Sequence, residues 1–429
     1  MSDRLSNMPA NDDKQEQKRV FKNAGALFVI QIANMVLPFI MLPYLTHVLG
    51  AQYYGLVAFG LGIAQLGFVI TDYGFSLYAP VALSKIRGDV VKINKVVGAI
   101  YCCRILLFML VSAAIFLYAL NTQQYAEHRE LLLLSILILA GTTLQPVWFF
   151  HGIEKMGYIT LFSLLSRLSF LLLVVFFVST KEDYVYVALF NGVTYCVAAL
   201  LGLTLIYKLG YRPTWPGWQS VLETFKTSME FFWSRAAVST YTAAGTVFLG
   251  LWGTSVQVAY YSAAEQLYKG AQAFFSPLSQ AIYPNMLKNR NFSLLFKVMK
   301  WAVLCCLIGV LIGSVIGEQV IELLFGIEFV NANSVLLIFL VTLMFTTPST
   351  MLGYPLLGAL GKVNLANRSV FLGAALQLSL LSFCYWFDYT AAYSVAICVL
   401  LVEILVFSLR AYWGSKYLRA NANSLLDNN

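Results

Sequence analysis

The 429-residue chain is short of charge. Asp, Glu, Lys and Arg make up 11% of it, against 59% hydrophobic residues, whereas ordinary soluble domains carry about 25% charged side chains. So little polar surface excludes a free-standing soluble enzyme, and it equally excludes a disordered polar chain. The net charge of +8 invites a nucleic-acid reading, but the basic residues lie in short turns between apolar segments, with no basic patch on a soluble domain. Catalytic motifs are missing too: there is no phosphate-binding glycine-rich loop, no nucleophile elbow and no metal pair. The seven cysteines (Cys102, Cys103, Cys196, Cys305, Cys306, Cys384, Cys398) all fall in apolar runs, are odd in number and lack metal-ligand spacing. They read as small core hydrophobes. No metal, no cofactor and no enzymatic step, ATP hydrolysis included, are expected. The first apolar run has no small-residue cleavage site after it, so residues 1–22 are expected to be a disordered cytosolic tail.

What the chain has is apolar length. A hydrocarbon core about 30 Å thick needs roughly 20 apolar residues per helix, and the sequence supplies twelve such runs. They lie near 23–49, 56–80, 96–119, 131–151, 157–179, 184–207, 229–251, 255–285, 298–317, 333–358, 369–387 and 391–413. Thr346-Thr347-Pro348 predicts a kink in the tenth. Counting Lys and Arg in alternate loops sets the orientation: 22 fall in segments on the amino-terminal side, two (Arg129 and Lys181) on the other, and four within spans. Both termini are therefore expected in the cytosol. Residues 208–228 divide the chain into six-span halves, 23–207 and 229–413, followed by a cytosolic tail at 414–429. Tyr53-Tyr54 and Tyr260-Tyr261, 207 residues apart, each follow a turn glycine (Gly50, Gly253). Two bundles in the same orientation, with a cleft between them, are the expected arrangement. The longest outer loop, 318–332, is too short for a catalytic domain.

Several ionisable residues interrupt the spans, where charge is costly and ordinarily faces water or a partner. The hairpin 229–285 carries Arg235, Glu265 and Lys269. At 1.5 Å per residue, Arg235 lies roughly 9 Å from the inner end of its span, Arg104 about 12 Å and Arg167 about 15 Å. Glu265 falls near the midplane, with Lys269 one turn nearer the cytosol; Asp72 and Glu403 are the other deep carboxylates. Arg235 and Arg104 could also snorkel to inner headgroups, and Glu265–Lys269, spaced i, i+4, could simply neutralise each other. Taken as a set, the cations Arg235, Lys269, Arg104 and Arg167 against Asp72, Glu265 and Glu403 suit a cavity that receives an anion. Pro38 and Pro43 each remove a helical hydrogen bond from the first span, which predicts a bend serving either as a static kink or as a gate. Of the three histidines, His47 and His128 fall near the outer boundary and His151 beside Glu154.

The order of short motifs across both halves is similar to one family. Leu42-Pro43-Tyr44-Leu45 through Gly50, Thr71-Asp72-Tyr73-Gly74-Phe75 and Pro146 through Met156 stand in the first half. Tyr260 through Glu265, Ser276-Pro277 to Tyr283-Pro284, and Leu324-Phe325-Gly326-Ile327-Glu328 stand in the second. The chain resembles the Wzx-type polysaccharide repeat-unit flippases of the multidrug/oligosaccharidyl-lipid/polysaccharide exporter superfamily; His151 stands where similar sequences often carry Gln. The resemblance implies an all-α integral membrane protein, twelve transmembrane helices in two six-helix (MATE-like) bundles, with spans 1 and 7 bordering lateral openings. It also implies an undecaprenyl-pyrophosphate-linked oligosaccharide as substrate, moved across a bacterial inner membrane for O-antigen or other surface polysaccharide. Membrane lipids, a polymerase and a chain-length regulator are the expected partners, and nucleic acid is not. A multidrug/cation antiporter of the same superfamily and an integral polysaccharide polymerase are the competing readings.

Overall fold

A computed structural model describes the backbone of residues 10–426 and the side chains of residues 36–420, except 234, 235, 238 and 240–242. Among the described residues the regular structure is entirely helical. The helices are α1 (Ala10–Asp72), α2 (Phe75–Lys85), α3 (Val90–Asn121), α4 (Arg129–Leu144), α5 (Val147–Gly152), α6 (Met156–Phe177) and α7 (Tyr184–Lys208). They continue with α8 (Trp218–Trp252), α9 (Ser255–Asn289), α10 (Phe292–Phe325), α11 (Ala332–Met351), α12 (Val363–Trp386) and α13 (Ala392–Leu426). Pairing α4 with α5, and α2 with the end of α1, recovers twelve rods in the expected order.

The breaks have local causes. α1 is interrupted at Gly50, whose φ of 69° and ψ of 177° suit glycine alone. Pro38 and Pro43, where a bend is expected, lie within helix; Thr46 Oγ1 donates to the Pro43 carbonyl at 3.0 Å and His47 Nδ1 stands 2.8 Å from it. The second rod breaks at Tyr73 (φ 42°) and Gly74 (φ 78°), inside a run expected to be continuous. The tenth turns through a π-helical stretch, Leu352–Gly358, one turn beyond Pro348 and containing Pro355. The part of the tail at 10–22 is helical, since Glu, Gln and Lys favour helix and Asp12 and Asp13 sit near its positive end; residues 1–9 of that tail and 427–429 lie outside the described residues. α8 starts at Trp218, which shortens the central connection to 209–217.

Nine helical segments among the described residues are long and apolar enough to cross a membrane, one of them the twice-crossing Val36–Lys85. α9, with its many polar side chains, is not among them; of α8 the uninterrupted described apolar stretch is Ala243–Trp252, shorter than a bilayer span.

The chain forms two compact units. One comprises residues 1–40, 67–178 and 186–232; the other 41–66, 179–185 and 233–429. In the first, Trp148, Phe149, Phe150, Phe162 and Phe75 build the core. One end gathers three connections: Arg87 is paired with Glu154, Asn94 accepts the Arg212 amide at 2.9 Å, and Tyr211 packs edge-on against Phe149. The second unit has a core around Met286, Leu295, Met351 and Leu356. Its helices approach closely where glycine allows: a Cβ on Gly55 would stand 1.7 Å from the Ser255 carbonyl oxygen, and in the first unit one on Gly141 would meet Tyr195 Cβ at 2.6 Å and the Tyr195–Cys196 backbone at 2.7 Å. Small residues at such crossings are how membrane helices pack without a hydrophobic driving force. Gly55→Val and Gly141→Val are each expected to lower stability by about 1–3 kcal/mol, read as a reduced melting temperature of the purified protein in detergent; unchanged melting in both would show these contacts to be wrong.

Candidate functional site

In the first unit the helix break at Asp72 brings a carboxylate into the core. Arg104, from the middle of α3, points at it: Nη2 lies 3.7 Å from Asp72 Oδ1, with side chains 1% and 0% exposed. The separation is that of an ion pair and not of a hydrogen bond. Ser76 Oγ donates to the same Oδ1 at 2.5 Å, and the guanidinium sits 5.8 Å from the Phe68 ring centre. Arg104 Nε and Nη1 and Asp72 Oδ2 have no hydrogen-bond partner among the described residues. A buried pair met this incompletely is expensive, and removing one member strands the other. Tyr73, next to the break, stacks on Phe225 and Phe232 of α8 at 4.2 and 4.7 Å. The break therefore grips the first half of α8, three residues short of Arg235. The Arg235 side chain itself lies outside the described residues.

The second unit holds the other carboxylates. On α9, Lys269 Nζ lies 2.8 Å from Glu265 Oε2, with side chains 46% and 12% exposed. Tyr54, Tyr261 and Tyr268, all buried, lie within electrostatic reach of that carboxylate. The Tyr268 hydroxyl is hydrogen-bonded to Thr346 at 2.7 Å. Glu403, buried on α13, has the Arg410 guanidinium as its electrostatic neighbour two turns along the same helix. Arg410 also donates to Ser369 Oγ at 2.8 Å and to the Ser349 carbonyl at 2.9 Å. It thus bridges α12 and α13 to the turn where Pro348 and the π-helical stretch disturb α11. Sequence counting placed Arg410 with the loop cations because it lies close to the end of its span. Only the i, i+7 spacing from Glu403, which puts both on one helix face, hinted at this role.

Two deep carboxylates are therefore ion-paired, Asp72 with Arg104 and Glu265 with Lys269, while Glu403 has Arg410 as an electrostatic neighbour with no ion pair between them. Arg167, half-buried on α6, makes no ion pair among the described residues. Within each unit the described site residues pair: Arg104 with Asp72 in the first, Lys269 with Glu265 in the second. An apolar cavity of about 410 Å³ in the second unit, walled by Leu66, Phe248, Trp252, Leu378 and Tyr385 among others, has no charged lining and is not the polar site. No group of three or more metal-ligating side chains exists among the described residues.

Glu328, in the turn between α10 and α11, makes a third kind of contact within the second unit. Its Oε2 accepts the Ala51 amide at 2.7 Å and its Oε1 lies 3.1 Å from Lys181 Nζ. Gly50 makes this approach feasible, since a Cβ there would sit 2.5 Å from the carboxylate. The amide opens the helix after the Gly50 break, so the acid caps a positive helix end. One side chain ties together segments 41–66, 179–185 and the α10–α11 turn. The Ala51 amide above all, and Lys181 after it, hold the Glu328 carboxyl below its usual range. A depressed folded-state value means that its stabilisation is present above the unfolded value and lost as the pH falls through the folded one. The melting-temperature deficit of Glu328→Ala is thus expected in full at pH 7 and should shrink as the pH falls below the ordinary carboxylate range and through the folded value; a deficit independent of pH would assign the effect to packing. For the buried pair, Arg104→Met and Asp72→Leu alone should each cost about 3–5 kcal/mol, and the double variant clearly less than their sum. A double-mutant cycle in detergent checks this, and additivity would deny the pairing.

Comparison with known proteins adds to this geometry. A family model described as "Polysaccharide biosynthesis protein" matches residues 20–290. A protein of Shigella dysenteriae named "Putative O-antigen transporter" is 26% identical over 396 residues, 91% of this chain and 99% of that protein. One of the same name from Escherichia coli (strain K12) is 27% identical over 270 residues, 62% of this chain and 64% of that one, so the chain aligns with just under two thirds of its length. Among solved structures, the lipid II flippase MurJ in an inward closed conformation superposes with a TM-score of 0.67 at 15% identity, covering 95% of this chain and 91% of that one. An inward-facing multidrug resistance MATE family transporter of the MOP superfamily gives 0.63 at 15% identity, covering 92% and 99%. At such identities these likenesses show the fold, which is MATE-like.

Proposed function

The chain belongs to the polysaccharide biosynthesis protein family, and from that premise we propose that it is a flippase for undecaprenyl-pyrophosphate-linked oligosaccharide repeat units. It moves them from the cytosolic to the periplasmic leaflet of a bacterial inner membrane by alternating access, supplying surface polysaccharide such as O-antigen. The names of the two relatives support the substrate class. The observation that carries the reading is Lys269, a cation held by Glu265 yet 46% exposed, in a run that the sequence analysis puts near the midplane, where contact with hydrocarbon is costly.

The cargo's chemistry explains why such a group is needed. Sugar hydroxyls without partners in hydrocarbon cost several kcal/mol each, so the head travels through a wet path while the polyprenyl tail stays in lipid. The diphosphate requires cations, and arginine grips phosphate oxygens bidentately. Arg235 and Lys269 receive it first. Arg167 and Arg104 complete the set, Arg104 only in a state that parts it from Asp72. Glu265, Asp72 and Glu403 then balance the cations between loads and are the groups through which an ion gradient would couple. Pro38 and Pro43 mark the lateral gate. An anion leaving a negative interior gains about 2.3 kcal/mol per charge per 100 mV, roughly 4.6 kcal/mol for two charges. A polymerase and a chain-length regulator act on the delivered unit.

A cation antiporter needs deep carboxylates left over for its cargo, and here Asp72 and Glu265 are engaged by Arg104 and Lys269 and Glu403 lies in the field of Arg410. Lys269→Ala and Arg235→Ala should each abolish surface polysaccharide and leave lipid-linked repeat units on the cytosolic leaflet, with normal protein levels in the membrane. Lys269→Arg should retain polymer. Normal polymer in both alanine variants would overturn the assignment.

A further inference from the structure

The connection between the chain's halves is not a loose linker. Backbone bonds from Arg212 and Thr214 to the side chain and carbonyl of Asn94, at 2.9 and 3.3 Å, fasten it to the start of α3. Gly98 lets it settle there: a Cβ would stand 2.0 Å from the Thr214 carbonyl oxygen. Pro213 and Pro216 stiffen the segment further. Pinned this way, it holds Trp215 and Trp218 edge to face at 5.1 Å, each 60% exposed. Two large apolar rings kept out of a core by a rigid backbone need another environment. Exposed cations stand on the same scaffold: Lys95 beside the Asn94 clamp, Lys208 at the end of α7, and Arg212 on the connection itself. Lys92 is already matched by Asp89 at 3.0 Å. The surplus at this end is positive.

Indole and tryptophan-sized rings settle at the membrane–water boundary with the apolar body inward and the N–H in the headgroups. Clustered Lys and Arg next to a transmembrane helix attract acidic lipid. We propose that the connection 209–217, with the start of α3 and the end of α7, is a binding platform for the phosphate-bearing headgroups of anionic phospholipids. Trp215 and Trp218 anchor it at the interface, and Lys95, Lys208 and Arg212 hold the phosphates. The platform goes beyond the flippase assignment: it recognises bulk lipid, requires no lipid-linked sugar and would exist in a protein that carries some other cargo.

The test uses the full chain in nanodiscs of equal parts phosphatidylglycerol and phosphatidylcholine, with no lipid-linked oligosaccharide present. Native mass spectrometry counts the lipids retained on the released protein. The wild type should retain phosphatidylglycerol in preference to phosphatidylcholine, and the triple variant Lys95→Gln/Lys208→Gln/Arg212→Gln should lose about fivefold of that preference, with an unchanged melting temperature. Trp215→Ala/Trp218→Ala should reduce retained lipid of both kinds and keep the preference. Raising the salt before release should weaken the wild-type preference, a readout that needs no variant. Retention in proportion to supply, or a triple variant with the full wild-type preference, would overturn the platform.

Discussion

A charge inside hydrocarbon must be matched or wetted, and that requirement organises this molecule. Asp72, Glu265 and Glu403 lie within helices; the first two are ion-paired with Arg104 and Lys269, and Glu403 lies in the electrostatic field of Arg410. Matching does not mean contentment. The Arg104–Asp72 pair leaves three polar positions without a hydrogen bond among the described residues, so it stabilises the fold less than apolar side chains of the same shape would. For the flippase proposed above, a pair that can separate would free its cation for an anionic cargo.

The pairs coincide with irregular backbone. Asp72 stands at the Tyr73–Gly74 break, and Arg410 grips the chain where Pro348 and the π-helical turn disturb α11. Non-helical backbone at membrane depth survives only where protein or water satisfies it, so each break needs a polar partner nearby. Charges and breaks therefore occur together for one reason. Gly50 repeats the pattern: its break leaves the Ala51 amide open, and Glu328 fills it.

Much of the fold was legible in the chain. Apolar runs of bilayer length marked twelve rods, because hydrophobic length is a local property. The breaks were harder. Pro38 and Pro43 looked like the bend of the first span, yet Gly50 carries the non-helical dihedrals; proline only removes a bond, whereas glycine admits a conformation closed to other residues. The run through Asp72 read as continuous since nothing in an apolar stretch announces a residue such as Tyr73 at positive φ. At the site, Glu265–Lys269 was readable from i, i+4 spacing. Arg104–Asp72 spans 32 positions and needs tertiary structure. Arg410 was hidden by its closeness to a span's end, where loop and membrane residues look alike.

In the proposed function, membrane-embedded cations carry a diphosphate head while its tail remains in lipid. The most direct measurement is translocation of a fluorescent polyprenyl-diphosphate oligosaccharide in proteoliposomes containing the purified protein, under an imposed membrane potential of defined sign. The account predicts protein-dependent movement that accelerates when the potential pulls the anion across and that fails for a polyprenyl glycoside lacking the diphosphate. Equal rates for cargo with and without the diphosphate would contradict it.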